Sequence, residues 1–122
     1  MTNKQLIEQL RKQIPSFDCI PGCTDCCGPI PWSACEWEEV PVKRKPDGVG
    51  CPYITRHGCK IYEYRPILCR LFGTVERMKC PHGCRPLAMI SQVQELDMMD
   101  KYIRLLKKER AEKNIEEADK NA

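Results

Sequence analysis

Ten cysteines lie between Cys19 and Cys84 of this 122-residue chain, and their spacing is the feature that can do chemistry. The first group is Cys19-x3-Cys23-x2-Cys26-Cys27. Two cysteines separated by two residues in a tight loop can aim both sulfurs at one ion, so this spacing suits zinc and iron–sulfur sites. Adjacent cysteines such as Cys26 and Cys27 point to opposite sides and more naturally serve two sites, or a site and the core. Cys51, Cys59 and Cys69 follow, and then Cys80 and Cys84 in the short loop CPHGC. Cys35 stands apart in a predicted short helix and is expected to be an unligated buried thiol.

The potential donor set is almost all thiolate. Only two histidines are present, His57 in a predicted turn and His82 within CPHGC. A lone loop histidine is ordinarily a solvated side chain, and His82 has the better company of the two. Thiolate ligation suits structural zinc or iron–sulfur clusters and argues against calcium, magnesium and hydrolytic zinc. Carboxylates are plentiful but scattered, and the sequence contains no Ser–His–Asp arrangement, P-loop or dinucleotide fingerprint. Nothing in it marks a catalytic centre.

The middle of the chain needs such cross-links. The hydrophobic fraction of 42% includes all ten cysteines, and the remaining central residues are poor in Leu, Ile, Val and Phe and rich in Pro and Gly. That composition buries too little apolar surface to offset the entropy of ordering the chain. The N-terminal MTNKQLIEQLRKQIP lacks the apolar stretch of a signal peptide, which favours a reducing, cytoplasmic setting where thiols are free to bind metal. No apolar run is long enough for a membrane span. The net charge of +3 is spread among acidic neighbours, and the small basic run at Lys43 to Lys45 reads as a solvated loop, so nucleic acid is not an expected partner.

The elements that must position these thiols can also be read. Thr2 with Gln5 has capping-box spacing, Leu6, Ile7, Leu10 and Ile14 follow at helical intervals, and Pro15 stops the helix. Ser33 with Glu36 repeats that spacing and predicts a short helix over 34–40, closed by Pro41. Trp32 and Trp37 flank it and are expected to form a lid over the metal core. Pro46-Asp47-Gly48 is the pivot of a predicted turn. CPYITRHGCKIY predicts a small hairpin, and Pro66 opens a helix carrying Leu68, Cys69, Leu71 and Phe72 that ends near Gly73. From Pro86 a long helix is expected, with a stripe of Leu87, Ile90, Val93, Leu96, Met99, Ile103 and Leu106. Beyond Lys107 the charged tail is expected to fray or project into solvent. The stripe suits core packing, with a coiled-coil seam to a protein partner as the alternative.

CIPGCTDCC, then CPYI, then GCKIYEYRPILCRLF resembles the CxxCxxCC (YkgJ-like) family of zinc- or iron-chelating proteins. The second block is in register with the family's C-x-I-Y-x-x-R-P-x-x-C-R box at Cys59, Ile61, Tyr62, Arg65, Pro66, Cys69 and Arg70. Two details depart from the family pattern: three residues rather than two separate Cys19 from Cys23, and Thr24 stands where the family has Gly. The resemblance runs from Cys19 to Phe72, under half the chain, and leaves out the C-terminal helix. It implies metal binding, and a similar cysteine pattern in flagellin lysine methylases, regarded as iron–sulfur proteins, tilts the expectation toward iron. Arg65 and Arg70 flank Cys69, where a guanidinium offsets thiolate charge, although Arg65 could equally hold a carboxylate or carbonyl of the fold. Tyr62 is expected to pack on the shell of the site.

Together these readings predict a small metal-stabilised, mainly helical α domain with a minor β-hairpin, irregular Cys-rich loops and a long C-terminal helix. Residues 1–15 form the first helix, 16–85 the metal-binding core, and 86–122 the C-terminal helix and tail. The expected ligands are Cys19, Cys23, Cys26, Cys27, Cys51, Cys59, Cys69, Cys80 and Cys84. They would hold an iron–sulfur cluster, of the [4Fe–4S] type, or zinc, with a structural or electron-transfer role. The alternative function is a zinc-stabilised protein–protein interaction module without catalysis.

Overall fold

A computed structural model describes residues 1–17, 20, 23, 30–44, 51–56 and 58–120, the last three of these as backbone only. The chain is largely helical: α1 (Asn3–Gln13), α2 (Ala34–Glu39), α3 (Ile67–Leu71) and α4 (Gln92–Lys120), with a hairpin of β1 (Ile54–Thr55) and β2 (Gly58–Cys59). Thr2 caps α1 in a full capping box with Gln5, and α1 ends at Ile14 just before Pro15. Ser33 and Glu36 form the second capping box, and α2 ends at Val40 before Pro41. The hairpin pairs Ile54 with Cys59 and Thr55 with Gly58 in antiparallel register. Pro66 caps α3 from outside its first turn, and Gly73, with a φ of 84°, follows the helix.

Two apolar clusters organise the described residues. The larger joins Ile7 and Leu10 of α1 to Ile67 and Leu71 of α3 and to Met98, Tyr102 and Leu105 of α4. Val75 and Ile90 complete it through a parallel bridge, in which Ile90 donates its N–H to the Thr74 carbonyl at 2.8 Å. The smaller cluster centres on Val40, Tyr53 and Ile61, with Trp32, Trp37, Cys51 and Cys59 packed against it.

The C-terminal helix differs from the sequence expectation in its start and face. It begins at Gln92, six residues after Pro86, because the chain before it bends at Leu87 and Ala88 and then enters the bridge at Ile90. Leu87, Val93, Leu96 and Ile103, four residues of the expected stripe, are exposed at 112%, 79%, 54% and 44%. The buried face carries Glu95, Met98, Tyr102 and Leu105 instead. The cause is polar: Glu95, Tyr102 and Glu109 recur every seven residues on that face, and each bonds to another segment. Arg77 donates through Nε and Nη2 to Glu95 Oε1 at 3.1 and 2.7 Å. Tyr102 donates its O–H to Glu36 Oε1 at 2.5 Å. Glu109 accepts the Ala34 and Cys35 N–H groups at the start of α2, at 2.8 and 3.1 Å. Past Lys107 the backbone stays helical through Lys120 and residues 111–117 are exposed, so of fraying and projection into solvent it takes the second. The pairs Lys101–Asp97 and Arg104–Asp100, spaced four apart, brace its solvent face.

Glu36 is fully buried and ties these pieces together. Its Oε1 accepts from the Ser33 hydroxyl at 2.8 Å, the Ser33 N–H at 3.3 Å and Tyr102, while Oε2 accepts the Ile67 N–H of α3 at 2.5 Å. The side chain that closes a capping box therefore also bonds to α3 and α4. A buried carboxylate is costly unless its oxygens are satisfied, and these are.

Two stability measurements follow. Met98→Ala, which empties a core position, should destabilise the fold by about 2–5 kcal/mol, whereas Val93→Ala should shift it by no more than about 0.5 kcal/mol; equal losses in denaturant unfolding would contradict the face assigned to α4. Tyr102→Phe removes a donor to the buried carboxylate and should cost about 1–3 kcal/mol by the same assay.

Candidate metal centre

Cys51 and Cys59 approach each other through the hairpin. Ile54 donates its N–H to the Cys51 carbonyl, and Lys60 donates to the Tyr53 carbonyl at 2.9 Å, folding the segment back on itself. The two thiols are close enough that a charge on Cys51 disfavours a charge on Cys59. Burial is the larger reason that the Cys59 thiol is pushed above the ordinary thiol range, and Arg65 opposes the shift. Both thiols are half-buried and pack against the cluster of Val40, Tyr53 and Ile61, as Trp32 and Trp37 do. Trp32 and Trp37 meet edge to face with centroids 5.3 Å apart, and Tyr53 lies 6.3 and 6.4 Å from them. The Tyr53 O–H donates to the Val42 carbonyl at 2.7 Å and accepts the Arg44 N–H at 2.9 Å. Lys43 lies over the Trp37 ring at 5.4 Å, so part of the basic run is engaged in packing while remaining exposed.

The Arg65–Arg70 segment braces the approach to Cys69. Arg70 donates to the carbonyls of Arg65 and Glu63, both at 2.7 Å, and Arg65 donates through Nε to the Tyr62 carbonyl at 3.0 Å. Of the two roles open to Arg65 in the sequence, it fills the carbonyl-holding one while also placing its charge near Cys59. Tyr62 differs from expectation. Its ring lies 3.8 Å from the Arg65 guanidinium carbon and is 54% exposed, because the tight turn Tyr62–Tyr64 puts residues three apart on one side. Cys69 itself is half-buried in α3 and interacts with its surroundings.

Cys80 and Cys84 converge separately. The turn closes with the Gly83 N–H on the Cys80 carbonyl at 3.1 Å, and Gly83 adopts a φ of 79° that favours glycine. The Cys80 sulfur accepts the His82 N–H at 3.4 Å. That bond is the main reason the Cys80 thiol is held below the ordinary range, against the opposing effect of burial and with lesser help from Cys84. His82 therefore takes part in the loop through its backbone.

The remaining thiols are placed individually. Cys23 is half-buried, with its N–H on the Ile20 carbonyl at 3.0 Å. Cys35 packs against the larger core, 3.4 Å from the Ser33 hydroxyl, and burial raises its thiol. Cys19, Cys26, Cys27, His57 and the Pro46-Asp47-Gly48 pivot lie outside the described residues. Among the described residues no three Cys, His, Asp or Glu side chains converge as a metal-holding group. The donor chemistry nonetheless fits a soft cation: two neighbouring half-buried thiols on a small apolar cluster, with a guanidinium nearby, suit a metal ion between them. The sequence reading missed the linking roles of Glu36, Tyr102 and Glu109. Only the Ser33–Glu36 spacing hinted at one of them.

No family model, curated protein or solved structure matches the chain. No helix among the described residues is long and apolar enough to cross a membrane.

The contrasting thiol environments set an order of reactivity, because the thiolate is the nucleophile. In the folded chain, Cys80 should be alkylated by iodoacetamide at lower pH than Cys35, as residue-resolved mass spectrometry across a pH series can measure. Coincident profiles would contradict these environments.

Proposed function

We propose that this chain is a cysteine-ligated metal protein carrying an iron–sulfur cluster, with a structural or electron-transfer role in the cytoplasm. The observation that carries the reading is the packing of the neighbouring thiols Cys51 and Cys59 on the same small cluster as Trp32 and Trp37, within a thiol-rich segment of little apolar core. The ligands come from Cys19, Cys23, Cys26, Cys27, Cys51, Cys59 and Cys69, which with Cys35 left aside are the cysteines of the segment that resembles the CxxCxxCC family. A bound cluster supplies one-electron chemistry, and its potential depends on burial and hydrogen bonding around sulfur. The chain's own residues half-bury the thiols against Val40, Tyr53 and Ile61 and place Arg65 near Cys59.

A second reading is a zinc-stabilised interaction module that presents α4 to a protein partner. It is favoured by the exposed Val93, Leu96 and Ile103 along that helix. Both readings expect the metal to stabilise the middle of the chain.

The deciding measurement is iron, zinc and acid-labile sulfide per chain in anaerobically purified protein, with its visible spectrum. Matching iron and sulfide with a broad absorption band support the cluster, stoichiometric zinc without colour supports the module, and neither metal overturns both. Cys26→Ser or Cys69→Ser should lower metal content and cooperative unfolding, whereas Cys35→Ser should be the mildest of the cysteine variants. Full metal and unchanged unfolding in both Cys26→Ser and Cys69→Ser would remove those ligands from the assignment.

A further inference from the structure

Where the start of α1 meets the middle of α4, the two helices leave a cavity of about 200 Å³. Its floor is apolar: Leu105 of α4 is 2% exposed and belongs to the larger core, and Leu6 of α1 packs against that core. Lys101, Arg104 and Lys108 line the α4 side, and their spacing of three and four puts them on one face of the helix. Their side chains are 43%, 78% and 57% exposed, so apolar stems line the wall while the charged ends reach solvent. Lys108 also donates through Nζ to Asn3 Oδ1 at 3.2 Å, tying α4 to α1 beside the cavity. Among the described residues no acidic side chain lines the cavity, and the first turn of α1 has none. The carboxylates Asp97, Asp100 and Glu112 pair with Lys101, Arg104 and Lys108 at 3.0, 3.1 and 4.0 Å from outside the lining. Exposed pairs with that spacing are weak, and they leave three like charges on one wall that an anion would relieve.

We propose that this cavity binds a short amphiphilic anion, an alkyl carboxylate of the size of octanoate. A cavity of about 150 Å³ holds benzene, so the space here suits a chain of about six to eight carbons. The chain lies on Leu6 and Leu105, where it leaves water, and the carboxylate meets Lys101 and Arg104 at the mouth. A neutral chain would forgo the cations, and an anion without a chain would forgo the floor. The site goes beyond the metal reading and involves none of the cysteines.

The test titrates octanoate into the full chain by isothermal titration calorimetry. Its position is mapped by acetylating the lysines with and without octanoate and reading each by mass spectrometry. The expected result is saturable binding of a single octanoate, with Lys101 and Lys108 protected while the exposed Lys79 and Lys113 are labelled as before. Acetate, with the charge but no chain, and octanol, with the chain but no charge, should each bind weaker by about tenfold or more. Lys101→Gln combined with Arg104→Gln should weaken octanoate by about tenfold. The proposal is overturned if octanoate gives no saturable heat, if acetate or octanol binds as tightly, or if protection falls evenly on all lysines. Full affinity in the double variant overturns it as well. Should that variant fold poorly, the comparison of the three probes on the unsubstituted chain is sufficient. Failure of the metal reading appears separately, as absence of iron and zinc from the same chain.

Discussion

The Glu36 carboxylate lies at 0% exposure, and three structural units place hydrogen-bond donors on it: the Ser33 cap, the α3 N-terminus and Tyr102 of α4. Removing a carboxylate from water is unfavourable unless its lone pairs are occupied, so each donor is held where it is needed. α2 has six residues, too few to be stable as an isolated helix. Its place is fixed instead by Glu36 from within and by Glu109 across its first N–H groups. Since α2 begins after Trp32 and contains Trp37, the same network sets two aromatic rings that pack on the cluster shared with Cys51 and Cys59. One buried acid thus couples the helical core to the thiol-bearing hairpin.

α4 supplies the counterpart. Met98 and Leu105 enter the core between Glu95, Tyr102 and Glu109, so its inner face alternates packing with polar attachment. The attachments limit sliding or rotation of the helix, because a shift would strand the Glu95 and Glu36 carboxylates without their donors. This leaves Val93, Leu96 and Ile103 in solvent, and the helix has apolar residues on more than one side.

The cysteines follow a different logic. Cys35 and Cys59 are raised by burial, whereas Cys80 is lowered mainly by the His82 N–H that its sulfur accepts. Residue type is shared across these positions, but the ease of forming a thiolate is set by local backbone and neighbours. Among the described residues the smaller apolar cluster has only Val40, Tyr53 and Ile61 buried. A centre so small gains from any additional bond made through its adjoining thiols.

Local features were legible in the sequence because local physics forms them. Thr2 with Gln5 and Ser33 with Glu36 close capping boxes within four residues, Pro15 and Pro41 follow the helix ends, and the hairpin and the turn around Gly83 depend on short-range backbone preferences. The thiol-rich composition likewise defined the candidate chemistry, but which thiols meet was left open. Cys51 and Cys59 are neighbours only because the hairpin folds the segment back. The face and start of α4 were misread for a related reason. An apolar stripe beginning at Leu87 fits helical spacing, but a bend at Leu87 and the bridge at Val75 and Ile90 keep that stretch out of the helix, and partners distant in sequence make burial of Glu95 and Tyr102 favourable. Sequence alone determined the caps, stops, turns and donor types, whose causes span a few residues. Tertiary structure decided the buried face, the role of Glu36 and the thiol pairing, because a polar side chain's preference for the interior depends on the donor that meets it there.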